Sequence, residues 1–323
     1  MNMSRELFVR ISVGTLAASA LPLRTRAAES EIVLVTPTGK IYGTLALPAP
    51  THSGGPVPVV LIIAGSGPTD RNGNAPGVAT NTYLLLSQAF TAAGIASLRY
   101  DKRGVGASAS ALASESDIRF DNYIDDAVAW IKLLRTNSAL SHLTVAGHSE
   151  GSLIGMIAAR EASANAYVSL EGAGRPAAEV LRYQLRNLPA PLNAQAMAII
   201  SSLEAGQTVA NVPDQFASLF RASVQPYLIS WFKYNPAAEI AKLTIPVTIV
   251  QGTADIQVTM ADEAALAAAA PHARVVIVDG MNHVLKYAPD TSTQAAILKG
   301  YTDPSLPLDP KAVAAVTSAA QSA

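Results

Sequence analysis

The sequence predicts an α/β protein with a mostly parallel central sheet and helices on both faces. Apolar strands alternate with helical stretches along the chain, which is typical of parallel strands connected by helices. The strand Val57 to Ala64 is nearly continuous in apolar residues, as expected where a sheet is covered on both faces. With 323 residues and 50% hydrophobic content, the chain has ample material for a sizeable core.

Net charge and cysteine content exclude several classes of function. A net charge of −1 provides no basic surface for nucleic acid. We therefore expect a small-molecule partner that is neutral or mostly apolar. The chain has no cysteine, which excludes disulfides, thiolate metal sites and a cysteine nucleophile.

Residues 1–28 are typical of a signal segment. Arg5 and Arg10 supply positive charge, Ile11 to Leu23 is apolar, and Ala18-Ser19-Ala20 offers a small-x-small cleavage site. The apolar stretch is too short to cross a bilayer as a helix, so no stable membrane span is expected. We expect an exported protein, periplasmic or secreted and of bacterial type. The alternative is an N-terminal extension of a cytoplasmic protein.

The predicted elements follow in a regular order. Glu31 to Val35 and Lys40 to Leu47 form a hairpin around the turn Thr36 to Gly39. The other predicted strands are Val57–Ala64, Ile95–Tyr100, one starting at Leu143, Ala166–Leu170, Ile245–Gln251 and Arg274–Val278. The predicted helices are Thr80–Ala93, Phe120–Thr136, Ser152–Ala162, Met260–Ala270 and the tail Ala312–Ala323.

A long helical insertion precedes the last two strands. Residues 172–244 are too many for a plain crossover, and their apolar residues recur at helical spacing. We expect a helical cap over the carboxyl ends of the strands, where ligands bind in open α/β sheets. The predicted core is then 29–171 with 245–323. Aromatic residues in the cap either belong to the core between cap and sheet or line a pocket: Tyr227, Trp231, Phe232 and Tyr234.

A strand, a sharp turn and a helix surround the sequence Gly147-His148-Ser149-Glu150-Gly151. This context presents the hydroxyl of Ser149 at the carboxyl edge of the sheet, as a nucleophile requires. The N–H of Glu150, in the first helical turn, is expected to point to where an oxyanion would form. A chance Gly-x-Ser-x-Gly match in a loop is the alternative.

A serine hydroxyl needs a general base with a pKa near 7, which in practice is histidine. The chain has five histidines, and only His283 follows a strand in a loop at the carboxyl edge. His148 lies inside the turn and is expected to point elsewhere. The remaining three lie in a linker, before a strand and at a helix end: His52, His142 and His272.

A carboxylate must hold the imidazole in one tautomer and stabilise its cation. Asp255 follows the strand Ile245 to Gln251 and reaches the same edge, so we prefer it as the acid. Glu171, just after the preceding strand, is the competitor, whereas Asp279 has the position of a turn residue.

Five motifs resemble those of the α/β-hydrolase superfamily, and more narrowly the bacterial esterases close to the serine aminopeptidase-like hydrolases. They are Gly65-Ser66-Gly67-Pro68-Thr69-Asp70-Arg71-Asn72, Tyr100-Asp101-Lys102-Arg103-Gly104-Val105-Gly106, Gly147-His148-Ser149-Glu150-Gly151, Gln251-Gly252-Thr253-Ala254-Asp255 and Gly280-Met281-Asn282-His283. The resemblance implies an α/β-hydrolase fold and a second oxyanion donor, the N–H of Ser66. Ala64 stands where related proteins begin a His-Gly motif.

The resemblance implies a serine esterase that cleaves carboxylic esters through an acyl-enzyme, with Ser149, Asp255 and His283 as its triad and no metal or cofactor. Aminopeptidase, amidase and thioesterase activities use the same machinery, and Glu179, Glu204 or Asp214 would be an amine anchor. A hydrolase-derived protein that only binds a ligand is the alternative of another class. We also expect Asp70, Arg71 and Arg103 to form a buried ion-pair network.

Overall fold

The computed structural model describes residues 28–50 and 54–322. The predicted signal segment, apart from Ala28, and His52 lie outside the described residues. Among the residues described, no helix is long and apolar enough to cross a membrane.

An eight-stranded sheet forms the centre of the molecule, with the order β1-β2-β6-β3-β7-β8-β9-β10. Its strands are β1 Ala28–Thr36, β2 Gly39–Leu47, β3 Val57–Ile63, β6 Ala96–Tyr100, β7 Leu140–His148, β8 Ala166–Leu170, β9 Val247–Gly252 and β10 Arg274–Val278. The six strands β6, β3, β7, β8, β9 and β10 are mutually parallel, whereas β2 pairs antiparallel with both β1 and β6. A separate small hairpin joins β4 Asn74–Ala75 to β5 Val78–Ala79.

The helices surround this sheet. They are α1 Thr82–Ala92, α2 Phe120–Arg135, α3 Glu150–Glu161, α4 Ala177–Leu185, α5 Ala190–Glu204, α6 Ala217–Phe220, α7 Gln225–Trp231, α8 Pro236–Ile240, α9 Met260–Ala269, α10 Gln294–Thr302 and α11 Pro310–Gln321. Short 3₁₀ helices lie at Gly106–Ala111, Glu115–Asp117 and Asp214–Phe216.

Two apolar clusters lie on opposite faces of the sheet. Successive residues of a strand face opposite sides, so Leu61 and Ile63 join one cluster while Val60 and Ile62 join the other. The first cluster includes side chains of α2 and α3, and the second includes side chains of α1 and α11. This arrangement confirms the predicted mostly parallel sheet with helices on both faces.

The segment between β8 and β9 is helical, from α4 to α8, as the apolar spacing predicts. Side chains of α5 and α7, among them Ile200 and Leu228, belong to the same apolar cluster as α2 and α3. Helix α7 contacts α2, and α8 contacts α3 and α9. Helix α10 is not predicted by the sequence pattern, and α3 begins at Glu150, two residues before its predicted start at Ser152.

Candidate active site

The turn between β7 and α3 holds Ser149 in a strained backbone conformation. Its φ is 54° and its ψ is −120°, a region that side chains rarely adopt. A Cβ on Gly147 would overlap the carbonyl of Gly151, and a Cβ on Gly151 would overlap the carbonyl of Ile63. Both glycines are therefore required for the close packing of the turn against β3, and this packing presents the Ser149 side chain at the carboxyl edge.

His283 and Asp255 form a hydrogen-bonded pair at the same edge. The Nδ1 of His283 donates to Oδ2 of Asp255 over 2.6 Å. The other carboxylate oxygen accepts from the N–H groups of Gln257, at 2.7 Å, and Val258, at 3.1 Å. Burial opposes ionisation of Asp255, but the charge and hydrogen bond of His283 hold the pKa of Asp255 below its ordinary value. Because Nδ1 of His283 donates to Asp255, Nε2 of the same ring is left to accept a proton.

Glu171, the competing acid, is fully buried. Its carboxyl accepts from the N–H of Gly252 at 2.8 Å and from Nε2 of Gln251 at 2.5 Å. Burial first, and then the charge and hydrogen bond of Asp255, raise the pKa of Glu171 well above its ordinary value. The geometry thus favours Asp255 as the partner of His283, with Glu171 as a buried neighbour that does not hydrogen-bond the imidazole.

Ser149 and His283 line one cavity of about 380 Å³, here called the histidine cavity, together with Ser66. No hydrogen bond joins the side chains of Ser149 and His283 in the described part of the chain. Apo active sites often tighten this contact only when substrate binds. The structure therefore places Ser149 and His283 on one cavity, with Asp255 bonded to His283, but no hydrogen bond joins Ser149 to His283.

The two expected oxyanion donors flank Ser149. Ser66 is exposed just after β3, and its N–H donates to no acceptor among residues 28–50 and 54–322. Glu150 is the first residue of α3, where backbone N–H groups have no intrahelical acceptor. Both N–H groups are thus available to a ligand oxygen beside Ser149.

His148 does not point away from the site, contrary to the expectation. Its ring centroid lies 4.9 Å from that of His283. Its Nε2 lies 2.7 Å from the backbone oxygen of His283, which can only accept, so Nε2 carries the proton. The hydroxyl of Tyr83 then donates to Nδ1 at 2.8 Å. Burial first, and then the charge of His283, lower the pKa of His148 to about 3.

A buried charged cluster lies on the other side of the turn. Nζ of Lys102 is 2.6 Å from the carbonyl oxygen of Gly65 and 3.4 Å from Oε2 of Glu150. The hydroxyl of Tyr227, on α7, donates to Oε1 of Glu150. Burial raises the pKa of Glu150, while the charge of Lys102 opposes that rise.

Sequence reasoning missed both Tyr83 and Lys102 as parts of the site. Lys102 had a detectable signal, because a charged residue two positions after the end of a buried strand lies at the carboxyl edge of the sheet. Tyr83 had none, since it occupies an apolar position of α1 and reaches Gly65 only through the tertiary fold.

The expected ion-pair network forms with other acids. Arg71 pairs with Asp101 at 2.8 Å, and Arg103 pairs with Asp126 at 2.6 Å. Asp70 instead accepts the N–H groups of Asn72 and Asn74 and so shapes its own loop. The expectation was therefore right about the arginines and wrong about Asp70.

A second cavity adjoins the first and shares Ser66, Ser149 and Gln257 with it. Its volume is about 580 Å³, and we call it the apolar cavity. Its wall includes Leu153, Val180, Leu181, Leu228 and Trp231. Trp231 and Tyr227 also pack on Phe120 of α2, so the cap aromatics both join the core and line a pocket.

Known proteins resemble this chain in sequence and in fold. The family model for serine aminopeptidase S33 matches residues 77–220. Esterase EstD of Thermotoga maritima is 25% identical over 262 residues, which cover 77% of this chain and 60% of that protein. The chain therefore spans less than two thirds of the length of this relative.

Solved structures extend the likeness. Est1E of Butyrivibrio proteoclasticus superposes with a TM-score of 0.55 and 19% identity, covering 84% of this chain and 98% of that one. The chain has the α/β-hydrolase fold. A puromycin-hydrolysing peptidase of Mycobacterium tuberculosis also resembles this chain in fold, with a TM-score of 0.54 and 17% identity, covering 82% of this chain and 37% of that one.

No group of histidine, aspartate and glutamate side chains in the described residues could hold a metal ion. The groups that the site does offer are the hydroxyl of Ser149, the imidazole of His283 bound to a carboxylate, and backbone N–H groups without an acceptor among those residues.

The buried His148 makes stability dependent on pH. The pKa of His148 is lowered to about 3 in the folded state. At pH values between about 3 and the ordinary histidine pKa of about 6.5, the unfolded chain therefore binds one more proton than the folded chain. The free energy of unfolding should fall by about 1.4 kcal/mol per pH unit below roughly pH 6.5 from this group. Urea unfolding of wild type and His148→Gln from pH 7.5 to 5 measures it.

His142→Gln is the matched control, since His142 is exposed. The steeper slope should disappear in His148→Gln and remain in His142→Gln. Equal slopes in all three proteins would contradict the assignment.

Proposed function

We propose that this α/β-hydrolase is a serine esterase that cleaves carboxylic esters through an acyl-enzyme. The observation that carries the proposal is that His283, bonded to Asp255 over 2.6 Å, lines the same cavity as the strained Ser149. Esterase EstD, the relative in Thermotoga maritima, has a name that agrees with it.

In the proposed reaction His283 accepts the proton of Ser149 as the hydroxyl attacks the ester carbonyl. The N–H groups of Ser66 and Glu150 stabilise the oxyanion, and Asp255 stabilises the imidazolium. His283 then donates the proton to the leaving alcohol. Water repeats the cycle on the acyl-enzyme and releases the acid.

The position of His283 assigns the two cavities in this mechanism. The leaving oxygen must lie near the imidazole that protonates it, so the alcohol occupies the histidine cavity. The acyl group then occupies the apolar cavity, whose wall does not include His283. Est1E, which shares the fold, has been solved with ferulic acid bound. We infer an ester whose acid part is apolar and larger than its alcohol part.

Residues 172–244 act as a cap in this proposal. The wall of the apolar cavity contains residues of α4 and α7, such as Val180 and Leu228, opposite Leu153 of α3. The cap therefore excludes water from the acyl group. The charge and apolar pattern of residues 1–28 supports export of the protein, with removal of that segment.

Aminopeptidase activity is the second candidate, because the family model carries that description. A free amino terminus needs an acidic anchor near the nucleophile. Among the described residues that line the two cavities the only acid is Glu150, and Lys102 already pairs with it. Glu179, Glu204 and Asp214 lie outside both cavity walls, and this absence favours esters.

Replacement of the nucleophile tests the proposal. Ser149→Ala should lose at least about 10³-fold in kcat on p-nitrophenyl esters while keeping its fold, because the acyl-enzyme cannot form. A fluorophosphonate probe should label wild type and not Ser149→Ala, as measured by intact-protein mass.

Ser66→Ala is the matched control, since Ser66 is the other serine shared by both cavities and alanine keeps its N–H. This variant should still be labelled. Labelling of Ser149→Ala, or an inert wild type, would refute the serine esterase.

Paired acid substitutions test the role of Asp255. Asp255→Asn should lower kcat by about 10⁴-fold, because an amide cannot stabilise the imidazolium. Glu171→Gln should lower it by less than about tenfold, since His283 bonds Asp255 and the amide oxygen of glutamine can still accept from the N–H of Gly252. A larger loss in Glu171→Gln than in Asp255→Asn would reverse the assignment.

Acyl-chain length tests the cavity assignment. Each methylene from acetate to octanoate should raise kcat/KM by up to about fourfold as it enters the apolar cavity. Leu181→Trp should lower the ratio of kcat/KM on octanoate to that on acetate by at least about tenfold. The kcat/KM on acetate should stay within about threefold of the wild-type value. Thr302→Trp, which narrows the histidine cavity, should lower kcat/KM by the same factor for every acyl length. An effect of Thr302→Trp on the length profile would overturn the assignment.

A further inference from the structure

We propose that Lys102 is a positioning residue for the oxyanion hole, holding the peptide between Gly65 and Ser66 so that its N–H faces the substrate oxygen. The inference rests on the proposed function, since it presumes that Ser66 N–H stabilises an oxyanion. It adds a residue that neither the triad nor the two backbone donors require.

The contact lies on the peptide unit that carries the donor. Nζ of Lys102 donates to the carbonyl oxygen of Gly65 at 2.6 Å. In a trans peptide the C=O and the following N–H point in opposite directions. An ammonium fixed on the oxygen therefore fixes the N–H of Ser66 on the opposite side, and it polarises the peptide so that this N–H is a stronger donor.

The preceding peptide is held as well. The N–H of Gly65 donates to the hydroxyl of Tyr83 at 2.9 Å. Gly65 itself is buried against the turn, since a Cβ there would lie 3.2 Å from the Cβ of Ser149. With both flanking peptides bonded, the loop after β3 has little freedom to rotate the donor away from Ser149.

The same ammonium reaches the second donor residue. Lys102 lies 3.4 Å from Oε2 of Glu150, whose own N–H is the other proposed donor. Tyr227 donates to the second carboxylate oxygen and Tyr123 presents its ring to Nζ with the centroid at 4.9 Å. One buried cation thus contacts residues on both sides of the oxyanion position.

Charge neutralisation alone does not explain this arrangement. A lysine kept only to pair with Glu150 would approach the carboxylate most closely, yet the carbonyl of Gly65 is nearer, at 2.6 Å against 3.4 Å. A buried ammonium costs free energy unless its donors are satisfied. Here the shortest hydrogen bond of Lys102 is the one to the backbone carbonyl of Gly65, beside the nucleophile.

The test removes both charges so that no carboxylate is left buried and unpaired. Lys102→Met/Glu150→Gln should lower kcat on p-nitrophenyl esters by about tenfold to a hundredfold, less than the 10²–10³ of a deleted donor. KM should stay within about threefold, because the ester carbonyl gains from the donor mainly in the transition state. The Ki of a trifluoromethyl ketone, which forms an oxyanion on Ser149, should rise in parallel with the loss of kcat.

Arg103→Met/Asp126→Asn is the matched control, a buried ion pair on the adjacent residue that does not touch Gly65. It should lower the melting temperature and leave the ratio of KM to Ki unchanged. Lys102→Arg, which keeps a charge and a donor, should recover most of the lost kcat. If the double variant is insoluble, Lys102→Gln takes its place in the same comparison, since Glu150 can take up a proton.

An unchanged kcat and Ki in the Lys102 variants would overturn the proposal while the esterase stands. A fall in kcat without a parallel rise in Ki would overturn it too, because the loss would then be structural. If wild type neither hydrolyses esters nor reacts with the phosphonate, the proposed function fails first and the role of Lys102 fails with it.

Discussion

The close packing of the turn at Ser149 against β3 is the constraint on which the rest of the site depends. Glycines 147 and 151 allow backbone to touch backbone there, and Ser149 is held at a φ of 54° as a result. The contact brings the loop after β3 next to the start of α3, so two backbone N–H groups of different elements lie together. Sheet order then supplies the remaining groups, because β7, β8, β9 and β10 are consecutive neighbours.

Buried polar groups hold the loops around this turn in place. Tyr83 and His148 connect the loop of Gly65 to the backbone of His283. Lys102 connects the same loop to Glu150, and Tyr227 adds a bond from α7. Each of these groups would cost free energy if left unpaired inside the protein. Because these groups form hydrogen bonds with one another, one arrangement of the loops that carry Gly65, Ser149 and His283 is favoured.

Much of the fold follows from local patterns, and the site follows only in part. Strand Ala166–Leu170 and strand Arg274–Val278 have the bounds predicted from their apolar runs. Asp255 and His283 were predicted to meet because the carboxyl ends of parallel strands share an edge, and they do. Tyr83 and His148 were not predicted as a link, since their partners are 18 and 135 residues away in the sequence. The spacing of residues along the sequence does not predict contacts that form only when the fold brings distant loops together.

The two cavities that meet at Ser149 also order the departure of products. In the proposed reaction the alcohol leaves the histidine cavity while the acid part stays in the apolar cavity, bound to Ser149. The emptied space beside His283 is then filled by whichever hydroxyl arrives next. Water and a small alcohol compete for it on equal chemical terms, since the imidazole activates either one. In that reaction the histidine cavity would set the partition between hydrolysis and transesterification, independently of the acid that the apolar cavity selects.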